Sequence, residues 1–312
     1  MKKVSVIMSV YNETFDEISA SLNSIINQTY ADIEIIIVVD NPSKSDEYKF
    51  IFDGYLQNYH NIIVLYNKKN IGLAMSMNKA FQKSTGVYIA RMDADDIAFQ
   101  KRIEKEVMVV EEGIYDFVCT GYIFINEEGN HIPGDYIHYS PDEIKRILFT
   151  TNCIHHPTVL MKRDIFEKVG GYRDFPCSQD YDLWLRLLEE NCKFYMIDEP
   201  LLKYRKRSLS TTNRKRFLQA CTLFYISKLC YTRLQYKYDN YSKTNYKEFI
   251  NMCNIRYRYH KNNIEYLQGI QNKIGKKKLN DVFLRILLLL KSNFIRDSYY
   301  LKYRIKKEVK KL

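Results

Sequence analysis

Nowhere does this sequence approach the roughly 18 consecutive apolar residues that a membrane-crossing helix requires. The apolar run "VFLRILLLL" at 282–290 falls well short and is interrupted by an arginine. The opening "MKKVSVIMSVYNETFDE" pairs two lysines with an apolar stretch, as a signal peptide does. That stretch is only about eight residues long, alternates with serine, lacks a cleavage pattern and ends in acids, so a first β-strand is expected instead. No C-x-x-C pair occurs and the cysteine count of seven is odd, which argues against a disulfide framework or a zinc site. Reduced, mostly buried thiols in a cytosolic protein are the expectation. There is also no internal repeat and no low-complexity linker.

Acids are scarce in one region only. Residues 213–312 carry 24 Lys and Arg against 6 Asp and Glu, a net charge of +18, whereas residues 1–212 carry 24 against 31, a net charge of −7. The total of +11 therefore conceals two differently charged regions that a functional reading must both explain. At 46% hydrophobic, the chain is able to bury a sizeable core.

Across the first hundred residues, strand-like and helix-like segments alternate. "VSVIMSVY" (4–11), "IEIIIVVD" (33–40), "NIIVLYN" (61–67) and "VYIARMD" (87–93) read as buried strands. The segments 15–28, 43–59 and 72–84 between them read as helices, and the alternation indicates βαβ units and a parallel sheet. Ligands bind such sheets beyond the carboxyl ends of the strands, so Tyr11, Asn12, Asp40 and the acids from Asp93 to Asp96 are expected to converge there. Further on, a helix over 99–112 precedes a hairpin in 117–130 and a Ser-capped helix at 140–149. "PTVLMKRDIFEKVGGY" (157–172) reads as strand, helix and glycine stop. "SQDYDLWLRLLEEN" (178–191) reads as an amphipathic helix with Leu183, Trp184, Leu187 and Leu188 on one side.

"RMDADDI" crowds Asp93, Asp95 and Asp96 at a strand end. Read alone, the triplet fits two roles: an acidic turn capping the next helix, or a chelate for a hard divalent cation that bridges carboxylates to phosphate.

The triplet is one of five ordered blocks. "VSVIMSVYN", "VVDNPSKSD", "NIGLAMSMNKAFQKSTGVYIARMDADD", "HHPTVLMKRDIFEKVGGY" and "SQDYDLWLRL" together resemble glycosyltransferase family 2, over about residues 4–210. The resemblance implies a GT-A fold, an α/β architecture with a Rossmann-like, mostly parallel sheet flanked by helices. It implies inverting transfer from a nucleotide-sugar, a UDP-sugar foremost, with Mn²⁺ or Mg²⁺ as cofactor. A catalytic domain at 1–212 would comprise a nucleotide-sugar half to about residue 98 and an acceptor half from 99.

Several positions acquire roles by the same resemblance. Tyr11, Asn12 and Asp40 match positions that hold the nucleotide base, although Asn-Pro-Ser follows Asp40 where Gly-Ser is commoner. Asn70, Gly72 and Asn78 match a block that approaches the nucleotide, and Arg91 either reaches a phosphate or pairs with an aspartate. Asp93 matches the acid facing ribose and metal, Asp95 the chief metal ligand, and Asp96 a supporting one. Asp180, in a Gln-Asp pair opening a helix, matches the general base that deprotonates the acceptor hydroxyl. A helix N-terminus favours its ionised form, so desolvation or Asp182 is needed to restore basicity. His156, Gln179 and Trp184 fall on the acceptor side. The adjacent His155 and His156 on a strand point oppositely, so at most one ligates a metal. In "LLKYRKRSLS", Arg207 stands where a histidine commonly contacts the diphosphate. An arginine holds phosphate but does not complete a metal shell.

The basic region 213–312, expected to be helical, fits amphipathic helices on an anionic bilayer. That suits a glycan or lipid-linked acceptor in capsule, lipopolysaccharide or other surface-polysaccharide assembly, with the enzyme peripheral on the inner face of the bacterial cytoplasmic membrane. Packing on the catalytic domain or on a second copy of the chain is the alternative. Nucleic-acid binding leaves the acidic region unexplained and is not favoured. A nucleotidyltransferase-like enzyme and a non-catalytic nucleotide-sugar binder remain the competing readings of the whole.

Overall fold

The computed structural model describes residues 1–134, 136–207, 216–256 and 293–309. The chain divides into two compact units, Met1–Ser210 and Thr211–Leu312.

The first unit is built on one mixed sheet. Its elements in chain order are β1 (Val4–Val10), α1 (Phe15–Ile26), β2 (Ile33–Val39), α2 (Ser45–Leu56), β3 (Ile62–Tyr66), α3 (Leu73–Lys83) and β4 (Tyr88–Asp93). There follow β5 (Ile97–Ala98), α4 (Arg102–Glu111), β6 (Phe117–Ile125), β7 (His131–Ile132) and α5 (Pro141–Leu148). Last come β8 (Val159–Lys162), α6 (Arg163–Lys168), α7 (Gln179–Glu189) and β9 (Phe194–Arg205). The strand order is β3-β2-β1-β4-β8-β6-β9-β5, with β7 paired to β6.

Strands β3, β2, β1 and β4 are mutually parallel, as their predominantly apolar runs alternating with helices predict. Every residue of β2 is buried, which is why its sequence, Glu34 apart, is β-branched rather than alternating. Beyond β4 the pairing is mixed: β8 is antiparallel to both β4 and β6, while β6 and β9 run parallel. The chain leaves β1 for β2 on one side and returns as β4 on the other, a switch point that opens a crevice at the strand ends. Register sets Ser9 at the end of β1 beside Asp93 at the end of β4.

Helix α1 starts where a capping box directs: the Thr14 side chain accepts from the Glu17 N–H, and Glu17 reaches back to the Thr14 N–H. Ser140 and Glu143 begin α5 in the same way. Helix α7 differs from expectation. It is buried nearly all round, including Asp182 and Arg186, because the sheet and its neighbours enclose it.

Among the described residues, the second unit is helical: α8 (Arg216–Tyr236), α9 (Lys243–Arg256) and α10 (Asn293–Val309). Phe224 packs edge-on against Phe249 and Phe294, with ring centroids 5.8 and 5.6 Å away, and Arg256 pairs with Asp297 at 2.8 Å. No helix among the described residues is long and apolar enough to cross a membrane. The apolar run 282–290 and residues 310–312 lie outside the described residues.

Candidate active site

At the end of β1, the Tyr11 side chain is 46% exposed while its carbonyl accepts hydrogen bonds from Asn41 Nδ2 (2.7 Å) and Tyr48 Oη (3.1 Å). Asn41 Nδ2 also donates to Asn12 Oδ1 at 3.0 Å. Asn41 thus ties the ends of β1 and β2 together, a role that sequence reading missed because it registered only as a departure beside Asp40. The exposed Tyr11 ring has no ring partner among the described residues.

Asp40 is buried and holds the neighbouring loop. Its Oδ1 accepts from Asn67 Nδ2 (2.7 Å) and the Ile71 N–H (2.9 Å), and its Oδ2 accepts from the Gly72 N–H (2.8 Å). Gly72 adopts φ +84° directly before α3, a left-handed conformation that glycine enters without strain. Exposed Asn70 accepts from the same Gly72 N–H at 3.1 Å. Asn78 is held by a distant part of the chain. Its Nδ2 donates to the Tyr172 carbonyl (2.8 Å) and its Oδ1 accepts from the Tyr172 N–H (2.9 Å), so both of its polar atoms clamp one peptide.

Carboxylate oxygens of Asp93, Asp95 and Asp96 lie within 4.8 Å of one another. Asp93 and Asp95 each have a basic side chain beside them, and Asp96 a backbone donor. Buried Arg91 pairs with Asp93, yet its Nε and Nη1 have no partner among the described residues. Arg207 Nε lies 2.9 Å from Asp95 Oδ2. The Arg205 N–H donates to Asp96 Oδ1 (2.8 Å), and Arg205 Nε donates to the Asp95 carbonyl (2.8 Å). Burial, then the charge of Asp93, pushes Asp95 up to about 7. Burial and the two flanking aspartates hold Asp96 well above the usual carboxylate range. Asp96 Oδ2 is buried without a hydrogen-bond partner among the described residues. Crowded hard oxygen donors that resist ionising together, one of them orphaned, fit a divalent cation such as Mg²⁺ or Mn²⁺.

Asp180 opens α7. It keeps part of its surface accessible, and its Oδ2 accepts from Asn152 Nδ2 at 2.8 Å. Burial raises its pKa, against the lowering effects of the Tyr181 N–H, Asn152 and the Arg91 charge. Asp182 plays no part in this. It is fully buried and held by Arg186 Nε at 2.9 Å and Arg173 at 3.6 Å. Ser178, immediately before α7, has φ +59°, an outlier for a non-glycine residue and a feature no sequence signal announces.

The three residues expected on the acceptor side, His156, Gln179 and Trp184, are all buried. Trp184 is completely buried, its ring centroid 4.8 Å from Phe117 and 5.8 Å from His156. Gln179 is buried at the start of α7. His156 is buried with Nε2 2.7 Å from Tyr172 Oη, and burial holds its pKa well below the ordinary value, so it is neutral. His155 instead packs against Tyr122 at 4.0 Å and Tyr204 at 5.2 Å, its pKa lowered to about 4 by burial and then Lys206.

A cavity of about 700 Å³, unsuspected from sequence, lies along β6, the β7 hairpin and β9, lined by Tyr122, Tyr136, His138 and Asp198 among others. The Tyr136 ring lies so close over Gly121, at the β6 bulge, that any Cβ there would stand 2.5 Å from it. The Tyr122–His155–Tyr204 stack leads from this cavity toward the aspartate cluster; burial, and then the charges of that cluster, raise the Tyr204 hydroxyl pKa.

Comparison with known proteins places this geometry among relatives. The family model described as "Glycosyl transferase family 2" matches residues 5–170. An uncharacterized glycosyltransferase of Methanocaldococcus jannaschii is 39% identical over 210 residues, 65% of this chain and 70% of its own. The O-antigen biosynthesis glycosyltransferase WbnJ of Escherichia coli is 35% identical over 211 residues, 67% of this chain and 81% of its own. Among solved structures, S. aureus TarS 1–349 in complex with UDP-GlcNAc superposes with a TM-score of 0.61 at 15% identity, over 98% of this chain and 89% of that one. Against a longer TarS crystal structure this chain spans 42% of the length. At such identities the TarS likeness establishes the fold.

Proposed function

This chain belongs to glycosyltransferase family 2, and from that premise we propose that it transfers a sugar, with inversion, from a UDP-sugar to a hydroxyl of a glycan or lipid-linked acceptor. A role in surface-polysaccharide biosynthesis accords with the O-antigen relative. The observation that carries the reading is electrostatic. One buried guanidinium, Arg91, acts on Asp93 at the strand end and on Asp180 at the head of α7, so diphosphate anchor and base share one neighbourhood.

In this reading Tyr11 stacks on the base of the donor, and the Ile71–Gly72 turn that Asp40 holds flanks it. Asp180, made more basic by burial, accepts the proton of the acceptor hydroxyl. The freed oxygen attacks the anomeric carbon, and the bond to the diphosphate breaks on the opposite face, its electron pair leaving with the nucleoside diphosphate. Asp93, Asp95 and Asp96 would hold a divalent cation, which when bound offsets the charge growing on that leaving group. The aromatic cavity beside Tyr122 and Tyr136 suits the acceptor glycan. On α10, exposed Tyr299, Tyr300 and Tyr303 sit among Arg296, Lys306 and Lys307, a composition suited to an anionic bilayer surface.

Asp180→Asn tests the assignment. Transfer is expected to be lost while UDP-sugar binding, read by calorimetry, persists; unchanged transfer would remove Asp180 from the role.

A further inference from the structure

Arg207 bridges two carboxylates that belong to different elements. Its Nε is 2.9 Å from Asp95 Oδ2 in the turn after β4, and its Nη2 is 2.9 Å from Glu17 Oε1 on α1. Neither anchor is loose. The other oxygen of Glu17 accepts from the Thr14 N–H (2.8 Å) and hydroxyl (3.0 Å), so the first turn of α1 sets its position. The strand delivering Arg207 is pinned two residues earlier. There Arg205 bonds Asp96 and the Asp95 carbonyl, and its Nη1 donates to the carbonyls of Asn126 (3.0 Å) and Glu127 (2.7 Å). The Arg207 and Asp95 side chains nonetheless remain 25% and 20% exposed, which leaves the guanidinium a path off the carboxylate.

We propose that Arg207 is a built-in competitor for the cation site: without donor it neutralises Asp95, and the diphosphate of the donor draws it away as the divalent cation binds. The inference rests on the metal-assisted reading above. Its physical basis is charge. A divalent cation approaching Asp95 in the donor-free protein meets a full positive charge already on the same carboxylate. A diphosphate supplies new oxygens to both, and the planar fork of arginine suits phosphate oxygens. Cation and nucleoside diphosphate therefore bind with positive coupling, and the coupling is reciprocal.

The test is calorimetric titration of Mn²⁺, alone and with UDP, into the full-length protein, with Arg207→Ala, Arg207→Gln and Asp95→Asn beside the wild type. Electron paramagnetic resonance of free Mn²⁺ supplies a second binding readout. Removing the guanidinium is expected to tighten Mn²⁺ alone by about tenfold, and to weaken UDP in the presence of Mn²⁺, so that the coupling between them shrinks. Unchanged Mn²⁺ affinity in both Arg207 variants, with binding still sensitive to Asp95→Asn, overturns the competition and leaves the metal reading standing. No Mn²⁺ binding to any protein, with or without UDP, overturns both. Two Arg207 variants guard against one that folds poorly, and coincident melting temperatures establish that each binding change is local.

Discussion

Two stretches of the chain carry the same spacing of acids, Asp93-Ala94-Asp95 and Asp180-Tyr181-Asp182, and use it in opposite ways. At the end of β4 the chain leaves the strand for a tight turn, with the Asp96 N–H bonded to the Asp93 carbonyl, and the carboxylates converge. On α7 two residues subtend about 200° around the helix axis, so the side chains diverge. Asp180 meets Asn152, while Asp182 turns inward to Arg186 and Arg173. Spacing in sequence acquires chemical meaning only through the backbone beneath it. A strand end gathers charge; a helix start separates it.

That contrast can be broken most severely at α7. Asp180→Asn is expected to lower kcat by about 10²–10⁴-fold, the usual worth of a general base, with donor affinity retained in calorimetry. Because folding raises the pKa of Asp180, protonation stabilises the fold: that contribution is present below the unfolded value and lost as pH rises through the folded one. The asparagine variant, mimicking the protonated acid, should therefore melt no lower than wild type above the folded pKa. Asp182→Ala should do the reverse. Leaving Arg186 buried without its carboxylate is expected to cost about 3–5 kcal/mol in denaturant unfolding. The residual folded fraction should still turn over.

A smaller effect sharpens the role of Asn152. Its side-chain N–H favours the ionised Asp180, so Asn152→Leu should raise the pKa of the base further. In a pH–kcat/KM profile the acid limb, where activity falls as the base becomes protonated, should move to higher pH. An unmoved limb would mean that a different group titrates. Smallest of all, Ser178→Gly relieves the left-handed conformation ahead of α7 at the expense of a more flexible unfolded chain. Its net effect on unfolding free energy should stay within about 1 kcal/mol of wild type.

Much of the first unit was legible because burial on both faces writes itself into composition. The seven residues "IEIIIVV" contain no alternation to mistake for an exposed edge, and the GT-A-type fold follows from their repetition with intervening helices. The aspartate triplet was legible only in company, since by itself it fitted a helix cap as well and the four other blocks singled out the metal reading. The burial of Trp184, Gln179 and His156 was not legible, because it depends on what the rest of the fold packs around them. Proximity along a helix does not reveal which side faces solvent when the helix is enclosed all round. The partner of Asn78 was likewise hidden, since Tyr172 is 94 residues away. Asn152, Asn41 and the cavity by Tyr136 were missed because each depends on chain segments meeting across the sheet.

By itself the sequence determined the parallel half of the sheet, the helix starts at Thr14 and Ser140, the acidic strand end and the charge contrast between the two regions. These depend on neighbours within a few residues, where hydrogen-bond geometry and side-chain size act directly. Only the tertiary structure decided that Arg207 sits on Asp95, that burial rather than Asp182 raises the pKa of Asp180, and that Asp40 is spent on its own loop. Those outcomes depend on long-range packing, because the strength of a charge and the freedom of a hydrogen-bonding atom are set by what the rest of the fold brings around them.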